Sequence, residues 1–228
     1  MADILVFSPH PDDAELGMGG TIARLCAEGR SAVIVDLTSG EPTPHGSPEI
    51  RARETAEANA ALGNPVRENL GLPNRWLEVT LENRRLLAAV IRRHRPELLF
   101  IPYPLDAHPD HLAVHDLALR ARFDAKLTGT DIPGAPWYPR RIVHYYCTHL
   151  RLVIQPTFLL DITAFAQAKR AAMDAYRSQF HTGRPKPGEV PEMVMTACAY
   201  FGSRVGVAYA EPFHTDEPVA LSRLDALI

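Results

Sequence analysis

The sequence predicts an α/β fold with a mainly parallel sheet and helices on both faces. Short apolar segments alternate with segments of helical periodicity through the first half of the chain, which is typical of βαβ units. The short segments are apolar at nearly every position, as strands covered on both faces are. No turn separates two self-sufficient cores, so we expect one domain over residues 1–228.

The first half of the chain supplies the predicted parallel strands and the helices that connect them. Strands are predicted at Asp3 to Phe7, Ser31 to Leu37, Arg67 to Leu70 and Leu98 to Ile101. Apolar residues at helical spacing predict helices at Gly20 to Glu28, Pro48 to Leu62 and Thr80 to Arg93. Gly29 and Gly63 follow two of these helices, where glycine commonly ends a helix. Right-handed crossovers between the strands then give a Rossmann-like arrangement.

The second half of the chain is less regular. A helix is predicted to begin near Asp110, and a proline-rich connection runs over 132–139. Further strands are predicted near 142–146 and at 158–161, and another helix at 165–177. The stretch 181–189 concentrates glycine and proline between two helical segments, which predicts a mobile loop, either a lid or a connector.

The composition narrows the class of protein. Hydrophobic residues make up 46% of the chain and charged residues 22%, and the net charge of -3 gives no electrostatic basis for binding nucleic acid. No signal peptide and no membrane-spanning segment are predicted. The three cysteines are far apart and form no Cys-x-x-Cys pair, so we expect core thiols in a cytoplasmic protein.

Two groups of polar side chains follow the first and fourth predicted strands. The first group is Ser8-Pro9-His10-Pro11-Asp12-Asp13-Ala14-Glu15, and the second is His108-Pro109-Asp110-His111. Each group places imidazoles and carboxylates on a loop just before a helix. Ligands of an open parallel sheet bind outside the carboxyl ends of its strands, so both groups stand where a site is expected.

The residue types in these groups suit a catalytic zinc site. Such a site takes three protein ligands and keeps a fourth position for water, and His10, Asp13 and His111 fit that count. Asp12 is then free to accept a proton from a water whose pKa the metal lowers to about 7. The need for both a ligand and a base explains why two adjacent carboxylates are present.

The second group supplies two further candidates. His108 lies near the ligand His111 and can face the substrate, where it would donate a proton to the leaving amine or stabilise the oxyanion. Asp110 is the candidate acceptor that orients one of the imidazoles.

Other interpretations of these residues stay open at this point. An Asp pair before a helix can be only an N-cap, and His-Pro-Asp-His can be a solvated turn. Two histidines and a carboxylate also suit non-heme iron(II), although an iron oxygenase leaves Asp12 without a task. A non-catalytic sugar-binding module could carry a structural zinc. Gly17-Met18-Gly19-Gly20 and Asp36 resemble parts of a dinucleotide site, but the glycines follow the first strand too late.

The two polar groups match the signatures of a known superfamily. Pro9 to Glu15 fits an opening Ala/Pro-His-Pro-Asp-Asp-x-Glu, and 108–111 fits a later His-Pro-Asp-His. Further matches occur at 15–21, 36–38, 49–51, 69–73 and 176–180. The chain therefore resembles the PIG-L and LmbE superfamily of metal-dependent de-N-acetylases. Within it, the chain is most similar to the bacterial N-acetylglucosaminyl malate deacetylases of bacillithiol biosynthesis and their chitooligosaccharide-active relatives.

The resemblance implies a zinc-dependent hydrolase that removes the acetyl group from an N-acetylglucosamine conjugate. It implies one Zn²⁺ per chain on the three ligands above, with Asp12 as general base and His108 as acid or oxyanion partner. It makes Arg51 a substrate-binding residue, whose fork of donors suits sugar hydroxyls or a carboxylate. The implied partner is a small N-acetylated sugar, with no nucleic acid and no membrane. A homo-oligomer is implied, of which a hexamer is one form.

The chain departs from the malate-type pattern at two places. Many malate-type members carry an arginine in the loop before the second helix, where this chain has Pro44-His45-Gly46. The segment 196–200 lacks an arginine often found before the Phe-Gly pair. Recognition of an anionic aglycone is therefore an open question, and another N-acetyl sugar or a chitooligosaccharide is the alternative substrate.

The remaining conspicuous residues are expected to be structural. His144 and His149 flank an apolar strand, and Trp76 and Trp137 lie in proline-containing loops where they can serve as anchors. An arginine group at helical spacing is expected to form a solvated helix face. That group is Arg84, Arg85, Arg92, Arg93 and Arg95.

Overall fold

The computed structural model describes residues 1–220, and residues 221–228 of the predicted domain lie outside the described part. The strands are β1 Ile4–Ser8, β2 Ala32–Thr38, β3 Val66–Leu72, β4 Leu98–Pro102, β5 Arg141–Tyr145, β6 Phe158–Asp161 and β7 Ala210–His214. They form one sheet in the order β3-β2-β1-β4-β5-β7-β6. The first five strands in this order are parallel, and β7 runs antiparallel to both of its neighbours.

Seven α-helices are present in the described part of the chain. They are α1 Asp13–Ala27, α2 Pro48–Ala61, α3 Leu81–His94, α4 Pro109–Ala125, α5 Ala166–Ala175, α6 Arg177–Phe180 and α7 Glu189–Arg204. The predicted α/β class with helices on both faces is confirmed. No helix among residues 1–220 is long and apolar enough to cross a bilayer.

The sheet separates two apolar cores because side chains alternate along each strand. In β1, Leu5 and Phe7 pack against α3 and α4, while Ile4 and Val6 pack against α1, α2 and α5. All four side chains are buried, which explains why β1 is apolar at every core position.

Helix α1 begins at Asp13, so the predicted start at Gly20 is wrong. Met18 interrupts the helix with φ -150° and ψ 25°, and the glycines around it obscure the helical pattern. These glycines allow α1 to pack closely against the sheet and the segment that follows β6. A Cβ at Gly17 would lie 2.3 Å from the Tyr145 ring, and one at Gly20 would lie 2.7 Å from Ile162.

The sequence did not predict strand β7. Its Glu211 and Pro212 do not resemble a buried strand, yet Glu211 is fully buried. The Glu211 carboxylate accepts a hydrogen bond of 2.7 Å from Lys169 Nζ and bonds of 2.9 and 2.7 Å from the backbone of Gly20 and Thr21. This buried ion pair joins β7 to α5 and to the second part of α1.

The prediction of a solvated arginine face is wrong at Arg92. This residue is only 3% exposed, and its guanidinium donates to the carbonyls of Ala125 and Gly134. It therefore fixes the connection after α4. Trp137 anchors the same connection, as expected, by donating to the Pro96 carbonyl.

Candidate metal centre

The site lies at the point where neighbouring parallel strands lead in opposite directions. β1 and β4 are adjacent in the sheet, but α1 leads from β1 to β2 and α4 leads from β4 to β5. Such a switch opens a crevice at the carboxyl ends of the two strands. The loop after β1 carries His10 and Asp12, and the loop after β4 carries Asp106 and His108.

The structure brings the three predicted metal ligands together. Asp13 Oδ2 lies 3.0 Å from His10 Nδ1 and 3.2 Å from His111 Nε2. All three side chains are buried, and their ligand atoms all lie within 4.8 Å of one another. We call His10, Asp13 and His111 the metal cluster.

One atom of the metal cluster has no hydrogen bond. His111 Nε2 is buried and makes no hydrogen bond of good geometry within residues 1–220, although it lies 3.2 Å from Asp13 Oδ2. A buried nitrogen without a partner costs stability unless an ion or ligand satisfies it. The imidazole and carboxylate donors are those that zinc and other divalent transition metals accept, so the residues present fit a metal ion.

A carboxylate holds each imidazole from behind. His10 Nε2 lies 3.0 Å from Asp110 Oδ2, and His111 Nδ1 lies 2.7 Å from Asp106 Oδ2. When these nitrogens carry the protons, His10 Nδ1 and His111 Nε2 keep free lone pairs that face Asp13. Carboxylates behind metal-binding histidines fix the tautomer in this way.

Asp110 is fully buried and is held in turn by the backbone. Its carboxylate accepts hydrogen bonds from the N–H groups of Arg75, at 2.6 Å, and Leu77, at 3.3 Å. Arg75 adopts a left-handed conformation with φ 69°, which aims its N–H at Asp110. The structure thus places Asp110, which we predicted as the acceptor that orients an imidazole, at His10 Nε2, whereas Asp13 lies at His10 Nδ1.

Asp106 was not among the predicted site residues. An acidic residue shortly before a candidate ligand, in the loop that leaves β4, was the available signal. Asp106 also accepts from the backbone N–H groups of His108 and His149, at 3.0 and 3.1 Å. It therefore holds two loops beside the metal cluster.

The carboxylates around the metal cluster favour binding of a cation. Burial alone would lower the pKa of His10, but its hydrogen bonds to Asp110 and Asp13 raise it to about 9. Burial also opposes charge on His111, and the Asp13 charge nevertheless raises its pKa well above the usual value. The pKa of Asp13 is held well below its ordinary value by His111 and His10, against burial. Protons on the two imidazoles thus neutralise the negative charge of the neighbouring carboxylates. A bound cation could neutralise the same charge in their place.

Asp12 stands beside the metal cluster in a strained backbone conformation, with φ 130° and ψ -30°. Residues other than glycine rarely adopt such a φ value, and they do so mainly at functional sites. Burial raises the pKa of Asp12 to about 7, with a further contribution from the Asp13 charge, while Arg51 acts in the opposite direction. At neutral pH the Asp12 carboxylate is therefore a stronger base than the carboxylate of an exposed aspartate.

Arg51 contacts Asp12 directly. Its Nη1 donates to Asp12 Oδ2 at 3.1 Å and to the Pro11 carbonyl at 2.6 Å, and its Nε donates to Glu41 Oε1 at 3.2 Å. The side chain is buried and lines the cavity together with Gly40. Its predicted role in substrate binding stays a prediction.

His108 also faces the cavity. Its Nδ1 accepts the Asp110 backbone N–H at 3.2 Å, so the neutral ring carries its proton on Nε2. Burial, then the charges of His10 and His111, lower its pKa to about 4. At neutral pH His108 is therefore an uncharged donor.

His149, which we expected to be structural, lies beside the metal cluster. It is exposed at the cavity, where its Nδ1 lies 3.2 Å from Asp106 Oδ1. Cys147, expected in the core, also lines the cavity, with Sγ 3.7 Å from His111 Nδ1. Both follow β5, and the sequence offered no motif there.

The cavity over the metal cluster has a volume of about 700 Å³. Its polar side contains His10, Asp12, Arg51 and His108, together with Thr43 and Gln179. Val194, Ala197 and Phe201 of α7 form an apolar wall. Cavities of this size hold ligands larger than one sugar ring.

A second charged cluster lies on the other side of the first turn of α1. Arg67 bonds both oxygens of Asp36, at 2.8 and 3.1 Å, and also pairs with Glu15. Tyr176 Oη donates to Glu15 at 3.0 Å. We call Glu15, Asp36, Arg67 and Tyr176 the Arg67 cluster. Because Arg67 occupies the Asp36 carboxylate, the acid considered for a dinucleotide site is not free to bind a ribose.

Known proteins match this chain both in sequence and in structure. Residues 5–122 match the family model described as PIG-L, GlcNAc-PI de-N-acetylase. The diacetylchitobiose deacetylase of Thermococcus kodakarensis is 30% identical, with 91% of this chain and 80% of that protein covered. A conserved protein of Thermus thermophilus has a crystal structure that superposes with a TM-score of 0.90 at 42% identity, covering 97% of each chain.

The N,N'-diacetylchitobiose deacetylase of Pyrococcus horikoshii, solved with an inhibitor, also superposes. Its TM-score is 0.80 at 28% identity, with 99% of this chain and 88% of that chain covered.

Proposed function

The chain belongs to the PIG-L family of GlcNAc-PI de-N-acetylases, and from this premise we propose that it is a zinc-dependent deacetylase of N-acetylglucosamine conjugates. The observation that carries the proposal is the buried His111 Nε2, which has no hydrogen-bond partner in residues 1–220 and points at Asp13 beside His10. Asp12 lies next to this cluster but outside it, as a general base should.

We propose one Zn²⁺ per chain on His10, Asp13 and His111. When bound, the metal would polarise the acetamide carbonyl and make the attacking water more acidic. Asp106 and Asp110 would hold the two imidazoles in the tautomers that bind it.

The chain's own residues would carry the protons. Arg51 holds Asp12 Oδ2, which leaves Oδ1 to take a proton from the attacking water. Asp12 can then return this proton to the sugar nitrogen as the carbon–nitrogen bond breaks, which yields a free amine and acetate. The neutral His108 would stabilise the developing oxyanion from Nε2, so of its two predicted roles we favour this one.

The substrate proposal rests on the resemblance found in the sequence and on the cavity. Our first candidate is N-acetylglucosaminyl malate, which would place the protein in bacillithiol biosynthesis. Arg75, Arg151 and Arg184 line the cavity and offer cationic partners for an anionic aglycone. A chitooligosaccharide is the alternative, because two relatives are named as diacetylchitobiose deacetylases.

Acetate release from four substrates tests the proposal. The zinc-loaded protein is offered N-acetylglucosaminyl malate, N-acetylglucosamine, diacetylchitobiose and an N-acetylglucosaminyl inositol. We expect release from the malate conjugate with the highest kcat/KM. Release from none of them would contradict the proposed function. Turnover that depends strictly on oxygen, in parallel aerobic and anaerobic assays, would favour the iron(II) alternative instead.

A further inference from the structure

Gln179 lies near the end of α6, and the proposed mechanism does not use it. The residue is only 8% exposed, yet it lines the catalytic cavity with Asp12 and Arg51. Its side-chain Nε2 donates to Thr43 Oγ1 at 3.1 Å and to Ser178 Oγ at 2.8 Å. Both N–H bonds of the amide are therefore used inside the protein.

Two buried carboxylates determine which way this amide faces. A hydroxyl group has one proton to donate and lone pairs to accept with. Thr43 Oγ1 lies 2.9 Å from Glu41 Oε2, and Ser178 Oγ lies 2.7 Å from Glu54 Oε2. Each hydroxyl gives its proton to a carboxylate, because an ionised carboxylate can only accept. Both hydroxyl oxygens must then accept from Gln179.

The opposite orientation of the amide is disfavoured for the same reason. If Oε1 pointed at the two hydroxyls, they would have to donate to it, and the oxygens of Glu41 and Glu54 would face lone pairs. Glu41 is 7% exposed and Glu54 is 4% exposed, so water could not easily replace the lost donors. The two glutamates thus fix the amide with Oε1 facing away from the two hydroxyls.

Within residues 1–220, Gln179 Oε1 accepts no hydrogen bond. An oriented acceptor with no partner, at the wall of a catalytic cavity, is suited to a ligand that can donate. The anchor is also continuous with the catalytic residues, because Glu41 accepts from both Thr43 and Arg51.

We infer that Gln179 Oε1 accepts a hydrogen bond from a hydroxyl group of the sugar and so selects a sugar ring with a donor at that position. The inference rests on the proposed function and deepens it. It assigns a binding role to one residue of the segment 176–180, which the sequence marks only as a stretch of family likeness.

Paired changes in enzyme and substrate test this contact. The methyl glycoside of N-acetylglucosamine is compared with its 3-, 4- and 6-deoxy analogues, using wild-type protein and Gln179→Met. We expect removal of one hydroxyl to lower the wild-type kcat/KM about tenfold, as loss of one neutral hydrogen bond does. Gln179→Met should lose about as much with the full sugar and nothing further with that analogue. Additive losses on every analogue would overturn the inference.

Controls separate this contact from folding and from the proposed function. Gln167→Met changes an exposed glutamine of α5 and should match wild type with every sugar. Binding of the same sugars is measured by calorimetry, so that affinity is read independently of turnover. Acetate release with additive losses would contradict only the role of Gln179. If wild type neither binds nor cleaves the methyl glycoside but releases acetate from one of the four substrates above, only the role of Gln179 is contradicted. Release from none of those substrates would contradict the deacetylase proposal as well.

Discussion

Two buried groups of charged side chains flank the first turn of α1, and they differ in how their polar atoms are paired. In the Arg67 cluster, a guanidinium and a phenol satisfy the two carboxylates. In the metal cluster, three ligand atoms lie close together, and within residues 1–220 one of them, His111 Nε2, makes no hydrogen bond. Complete pairing is what a structural cluster needs, whereas an unpaired atom in a buried group indicates a missing ligand.

The comparison shows why acidic residues close in sequence take different roles. Three acidic residues lie close together at the start of α1: Asp12, Asp13 and Glu15. Of these, Glu15 faces Arg67 and Tyr176. Asp13 faces two imidazoles. Asp12 accepts a hydrogen bond from Arg51 at Oδ2. The partner that the fold supplies, not the carboxylate itself, decides whether the group stabilises the protein or remains reactive.

The largest effect is expected from a change to Asp12, the reactive carboxylate beside the metal cluster. Asp12→Asn keeps the shape of the side chain but cannot accept the proton, so kcat for acetate release should fall by about a hundredfold to ten-thousandfold. Zinc content, measured by atomic absorption, should remain at the wild-type level because Asp12 lies outside the metal cluster. Turnover close to that of wild type would exclude Asp12 as the base.

At the paired side, stability should respond instead of chemistry. Arg67→Met leaves Glu15 and Asp36 buried without their counter-ion, so urea denaturation should show a loss of about 3–5 kcal/mol in the free energy of unfolding. The control is Arg177→Met, which removes an exposed pair with Glu57 and should cost under about 1 kcal/mol. Equal losses for the two variants would remove the distinction between the clusters.

The carboxylates behind the imidazoles should affect metal affinity. Asp106→Asn or Asp110→Asn should weaken zinc binding by about 10-fold to 100-fold, as changes to such supporting carboxylates typically do. Competition with a chromogenic chelator measures the affinity. Asp116→Asn, at an exposed position of α4, is the matched control and should bind zinc as wild type does. Unchanged affinity in both test variants would contradict the assigned tautomers.

The smallest effect is expected from one hydrogen bond in the Arg67 cluster. Tyr176→Phe removes a donor to Glu15 and should lower the free energy of unfolding by about 1 kcal/mol. Tyr200→Phe, at an exposed position of α7, should leave stability unchanged. Loss of zinc in Tyr176→Phe would mean that the two clusters are not separate, contrary to the comparison.

The metal cluster could be predicted from the sequence because its residues lie in two contiguous motifs that follow strongly apolar strands. The segment 176–180 was matched as well, but no role for Gln179 could be predicted, because the orientation of its amide depends on hydroxyls and carboxylates that the fold brings together. Strand β7 was missed because the partners that allow Glu211 to be buried are distant in the chain: Lys169, 42 residues away, and the backbone of Gly20 and Thr21. Contacts of this kind arise from tertiary packing, and local patterns do not encode them.

The central claim is that the metal cluster holds one zinc ion that deacetylation requires. The most direct test is to strip the protein with a chelator, add back zinc in sub-stoichiometric steps and measure acetate release from the best substrate at each step. We predict no release from the stripped protein and a linear rise that levels off at one zinc per chain. Full acetate release from metal-free protein would contradict the account.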